Sequence, residues 1–212
     1  MTTSFQSDLY DYFEVLMSIW FNPETDLLRP NINIKMALSE FSDPLIEHIH
    51  YDSPENLNMT IVLDTFKTIQ QQRNLGTSTF LITKSLIDRY EEIVARPEIG
   101  VNGSGLTVVI ITDGEPYLAG SKASRKGLYQ DLGIPYNGGN NADDGMVLHL
   151  HFIALFRKVY PDAQIVGFSP IALPADFVDA TFDNFFYKID SSSSVLRWSN
   201  YMVRDQCMGD NK

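Results

Sequence analysis

The stretch that most limits the possible folds is Leu106–Thr112, LTVVIIT, which breaks off at Asp113-Gly114-Glu115-Pro116. A run that is apolar or β-branched at every position has no polar face, so as a strand it must be covered on both sides. Strands of that kind belong at the centre of a parallel sheet with helices above and below. In open α/β sheets, ligands collect beyond the carboxyl ends of the strands. Asp113 is therefore expected at that rim, although Asp-Gly also serves simply as a turn.

The rest of the chain alternates in keeping with such a sheet. Phe5, Leu9, Phe13, Leu16 and Trp20 form one apolar stripe and predict an opening helix, which Asn22-Pro23 stops. Ile32–Phe41 and Ile46–Tyr51 alternate apolar with polar around Ser42-Asp43-Pro44, the pattern of a hairpin near a sheet edge. Ser53-Pro54 starts a helix with Leu57, Ile61, Phe66 and Ile69 on its buried face. Gly76-Thr77-Ser78-Thr79 opens another, with Ile82, Leu86, Tyr90 and Ile93 in register. Glycines 100, 103 and 105 make the loop before the Thr107–Ile111 strand. A polar segment follows from Gly120 to Asn141, and Asn137–Gly145 (NGGNNADDG) reads as the most loop-like part of the chain. Met146–Tyr160 is expected as a helix, Ala163–Ser169 and Asn184–Ile189 as strands, and Val195–Gln206 as a closing helix. The expected fold class is α/β: a Rossmann-like, mostly parallel sheet with helices on both faces and one antiparallel edge strand. A single domain is expected over residues 1–206, with a polar tail at 207–212.

Composition narrows the function. Sixteen Lys and Arg stand against 27 Asp and Glu, a net charge of −11, which disfavours nucleic acid as a partner. The single cysteine, Cys207, excludes an internal disulfide and cysteine-rich zinc patterns. No apolar run approaches the ~18 residues of a membrane span, and the first residues lack the pattern of a secretory signal. A cytoplasmic setting is the corresponding expectation. His48 and His50 share one strand face, whereas His149 and His151 point in different directions on a helix, and neither pair has a third metal ligand beside it. Ser121, Lys122, Ser124, Arg125 and Lys126 read as solvated helix surface. No P-loop, nucleophile elbow or dinucleotide fingerprint occurs.

The series INIKMALSEFSD, then LGTST opening a helix, then TVVIITDGEP, resembles the von Willebrand factor A domain in order and approximate spacing, over nearly the whole chain. That resemblance implies a divalent cation, Mg²⁺ or else Mn²⁺ or Ca²⁺, at the strand ends. The family's threonine ligand carries over as Thr77 and its aspartate as Asp113. It further implies a non-catalytic adhesion-type domain that docks another protein, an acidic side chain of the partner completing the metal shell. Partner contacts are then expected at Ser42, Asp43, Thr77, Asp113 and Glu115.

One part of the family pattern is absent. The first apolar strand, with its Asp-x-Ser-x-Ser ligands, would precede the opening helix, and here only Met1–Ser4 does so. The expectation is an incomplete chain; a natural truncation or a circular permutation would leave the same pattern. Asp190, Ser192 and Ser194, which repeat the Asp-x-Ser-x-Ser spacing after a strand, are reserve metal ligands; their ordinary reading is a helix cap. With Thr77 and Asp113 alone, a cation is expected to bind weakly or not at all. The reading from another class is a metal-dependent, hydrolase-like α/β enzyme using Asp113, which requires a second carboxylate or a histidine beside it.

Overall fold

The computed structural model describes residues 14, 36–42, 44–50, 59–70, 77–97, 99–169, 171–182 and 186–188. Over these it is a mixed α/β fold with six helices and two small sheets. The chain divides into two compact units, one of residues 1–40, 46–73 and 189–212, the other of 41–45 and 74–188.

Strands β1 (Leu38–Phe41) and β2 (Leu45–Ile49) pair as a two-stranded sheet, as the alternation in these segments predicts. The first unit also holds helix α1 (Met59–Gln70). Its buried residues include Val62 and Leu63, while Ile61, expected on the buried face, is 39% exposed; Leu57 lies outside the described residues. Within this unit His48 Nε2 lies 3.3 Å from Glu40 Oε2. The expected helix over Phe5–Trp20 lies outside the described residues except for Glu14, which is helical. The expected closing helix over Val195–Gln206 lies outside them altogether.

The second unit carries the parallel sheet. Strands β3 (Thr107–Ile111), β4 (Gln164–Ser169) and β5 (Phe186–Lys188) run parallel in the order β3-β4-β5. Thr107 stands opposite Gln164, Ile111 opposite Phe168, and Gly167 opposite Phe186. Among the described residues β3 ends this sheet and β4 is its centre, where the sequence predicted β3. Burial agrees: β4 is buried from Ile165 to Ser169, whereas alternate residues of β3 are only partly covered.

Helix α2 (Phe80–Asp88) is followed after Arg89 by the short α3 (Tyr90–Val94). Next come α4 (Lys122–Asp131), the 19-residue α5 (Asn141–Val159) and α6 (Ala175–Thr181). One core gathers Val108, Ile110, Ile165, Phe156, Tyr160 and Phe177, and Phe41 packs against it. A second gathers Phe80, Leu118, Tyr129, Leu148 and Phe152. Gly167 allows Phe182 to lie flat on β4, since a Cβ at Gly167 would come within 2.5 Å of that ring.

Helix α5 begins five residues earlier than the composition of NGGNNADDG suggests. The Asn140 side chain accepts from the Ala142 and Asp143 amides, and the Asp143 carboxylate accepts from the Asn140 amide in return. This capping box satisfies amides that a helix start otherwise leaves open. Gly145 belongs inside the helix for a steric reason: a Cβ there would sit 2.8 Å from the Pro116 carbonyl and the Tyr117 nitrogen.

Candidate functional site

The rim forms where β3 ends. Thr112 is buried, and its hydroxyl donates to the Gly114 carbonyl at 2.8 Å while accepting from the Gly114 amide at 3.3 Å. This clip closes the turn that presents Asp113, which is half-buried, and leads to Glu115, which is exposed.

The Thr77 loop is joined to that turn. The Thr77 amide donates to the Tyr117 carbonyl at 2.9 Å, and the Tyr117 amide donates back to Thr77 at 3.1 Å, an antiparallel bridge of one residue pair. The Thr77 carbonyl also accepts from the Thr79 amide at 2.9 Å. As a result the Thr77 hydroxyl oxygen lies 3.8 Å from where a Cβ on Gly114 would stand. Two loops separated by more than thirty residues thus form one surface, with Thr77 on one side and the Asp113–Glu115 turn on the other.

Of the remaining expected site residues, only Ser42 is among those described. Ser42 is 3% exposed, so it offers no surface to a partner, and its hydroxyl finds no hydrogen-bond partner among the described residues. Asp43, Asp190, Ser192 and Ser194 lie outside the described residues. Among the described residues, no three of His, Cys, Asp and Glu converge on a point that would hold a metal.

Beneath the rim lies a buried hydrogen-bonded chain. His149 of α5 is fully buried, with Nδ1 2.7 Å from Thr79 Oγ1 and Nε2 2.7 Å from Thr181 Oγ1. The Thr181 hydroxyl donates its proton to the Phe177 carbonyl at 2.6 Å. It must therefore accept from His149, which fixes the proton on Nε2 and leaves Nδ1 to accept from Thr79. Burial lowers the His149 pKa to about 4, so the ring is neutral at pH 7. Thr79 has the residue type of a helix cap for α2, yet makes no side-chain cap, because its hydroxyl goes to the imidazole.

A second buried cluster pins the opposite flank. Arg125, expected on solvated surface, is 6% exposed. Its Nε donates to Asp144 Oδ2 at 2.6 Å, and its Nη1 donates to the Asn141 side chain at 2.7 Å and the Gly120 carbonyl at 2.9 Å. The Asp144 carboxylate also accepts from the Tyr136 hydroxyl at 3.1 Å and the Gly139 amide at 3.0 Å. The hydrogen bond to Asp144 raises the Arg125 pKa, and burial beside the Asp144 charge pushes Tyr129 up to about 12. Together these bonds tie α4 and the 118–120 and 136–140 segments to the start of α5. The sequence shows only a basic patch there because the partner, Asp144, is 19 positions away.

Among the described residues no helix is long and apolar enough to cross a membrane. Comparison with protein-family models and with curated proteins found no match to this chain.

Proposed function

We propose that this chain is a non-catalytic protein-interaction domain, similar to von Willebrand factor A domains, that docks another protein on the rim bearing Thr77, Asp113 and Glu115. The observation that carries the reading is the reciprocal pair of backbone hydrogen bonds between Thr77 and Tyr117, which unites the two loops. A face already ordered loses little conformational freedom on binding. Tyr117, 44% exposed beside the acidic turn, adds the broad amphipathic surface that interfaces favour. The parallel order β3-β4-β5, with the rim at the carboxyl end of β3, supports the doubly wound sheet that the resemblance implies.

The side chains at the rim do not fit a tightly held cation. Thr77 and Asp113 offer one hydroxyl and one carboxylate, whereas Mg²⁺ and Ca²⁺ require six or more oxygens. A partner's acidic side chain would therefore reach the rim through a cation only where partner and cation arrive together. The hydrolase reading would need a histidine or second carboxylate converging with Asp113.

Parallel affinity capture with quantitative mass spectrometry tests this, using the wild-type chain, Asp113→Ala with Glu115→Ala, and Lys126→Ala on the exposed side of α4, each with Mg²⁺ and with EDTA. A protein retained by wild type and K126A but lost from the acidic double variant is the expected result. Equal retention by all three would refute the rim as the docking face.

A further inference from the structure

The rim has a support that its own loops do not provide. Among the described residues Thr77 bridges to Tyr117 through two backbone hydrogen bonds, and such a bridge by itself is a modest restraint, since each intramolecular hydrogen bond nets only about 1 kcal/mol. Two residues further along, Thr79 is fully buried and bonded to His149 of α5. His149 in turn is held by Thr181 on one edge and by the Phe177 ring, whose centroid is 4.9 Å away. Both partners lie on α6, so a single imidazole joins the rim loop to two helices.

We propose that His149 is a positioning residue for the docking rim: through Thr79 it fixes the Thr77 loop to α5, and so holds the Thr77 hydroxyl against the Asp113–Glu115 turn. The geometry separates the two ends of the imidazole. The Thr79 hydroxyl can donate or accept, so its bond to Nδ1 survives either tautomer of the ring. Thr181 accepts from Nε2 and sets the tautomer, but it has no bond to the rim. Loss of the Thr79 bond should therefore loosen the rim selectively, whereas loss of the Thr181 bond should lower stability generally. The charged groups do not provide the tie: Lys84 and Asp88 of α2 pair with each other, Asp176 and Asp179 of α6 are exposed, and Arg157 donates to the Thr181 carbonyl at 3.0 Å. The value of the tie to binding rests on the rim being the docking face; the tie itself does not.

Amide hydrogen exchange of the full chain, read residue by residue, tests it with the near-isosteric variants Thr79→Val and Thr181→Val. T79V should speed exchange at the Thr77 and Tyr117 amides about tenfold, as loss of one buried hydrogen bond implies, while the β3–β4 amides keep their native ratio to the rest of the chain. T181V should leave the rim amides no faster than the chain as a whole. His149→Asn, which keeps an acceptor at the Nδ1 position, should protect the rim better than His149→Leu. The proposal is overturned if T79V leaves the rim unchanged, if it speeds every amide alike, or if T181V loosens the rim as much as T79V. Because no partner enters this measurement, its failure is distinct from failure of the capture experiment.

Discussion

Two buried groups with ordinary sequence surroundings carry most of the site's internal order. His149 looks from the sequence like one of two histidines diverging on a helix, and that much holds, with His149 buried and His151 exposed. Its partners are not legible, because Thr79 and Thr181 lie 70 and 32 positions away and no local pattern links them. The consequence is a defined pH response. The His149 pKa is lowered in the fold to about 4 from an ordinary 6.5, so between those values the unfolded chain binds more protons than the folded one. Its contribution to stability is complete above about pH 6.5 and fades as the pH falls toward 4, a total of about 3 kcal/mol. Denaturant midpoints measured from pH 7 to pH 4 should fall for wild type and fall less for His149→Leu; parallel curves would contradict the assignment. Arg125 gives a second residue-scale prediction. Asp144→Ala strands a buried guanidinium, so it should lower the thermal midpoint more than Asp88→Ala, which opens an exposed pair with Lys84. Equal effects in calorimetry would mean that the cluster is open to water.

At the level of elements, strong periodicity is readable and its exceptions have physical causes. The strands at Thr107–Ile111 and Gln164–Ser169 follow the apolar pattern closely. Of the stripe expected after Gly76–Thr79, Ile82, Leu86 and Ile93 face the core, but the helix breaks at Arg89 and Tyr90 is 36% exposed. The start of α5 resembles a loop in sequence because Asn and Gly favour turns in isolation, whereas Asn140 and Asp143 together form a capping box. Helix α6 leaves no sequence signal, since seven residues are too few for a periodic stripe to emerge. Gly145 decides between two opposed effects. Replacing a helical glycine by alanine favours the helix by about 1 kcal/mol, but a Cβ within 2.8 Å of the Pro116 and Tyr117 backbone forces a shift that costs about 1–3 kcal/mol. Gly145→Ala should therefore be destabilising in urea unfolding and should move the Tyr117 resonances. A stabilised variant would show that α5 does not press on the rim.

For the molecule as a whole, the sequence is enough to reach the mixed α/β class, while the nearness of Thr77 to the Asp113 turn is what the family resemblance implies. The class follows from the alternation of strands and helices, and the place of Asp113 from the rule that loops gather at strand ends. The expected central place of β3 is not met among the described residues, where β4 is flanked on both sides and β3 ends the three-stranded sheet. Apolar content alone does not rank strands by position, and β4 is the more continuously buried of the two. The weak donor set has its own consequence: calorimetric titration with Mg²⁺ or Mn²⁺ should give no micromolar site in the isolated chain, and a micromolar site would require ligands beyond Thr77 and Asp113. The most direct measurement of the central claim is an amide–amide nuclear Overhauser experiment on ¹⁵N-labelled protein. Residues that exchange both hydrogen bonds across an antiparallel bridge bring their N–H groups together, so a cross-peak between Thr77 and Tyr117 is predicted. Its absence, with both amides assigned and exchanging freely with water, would mean that the two loops do not share a face.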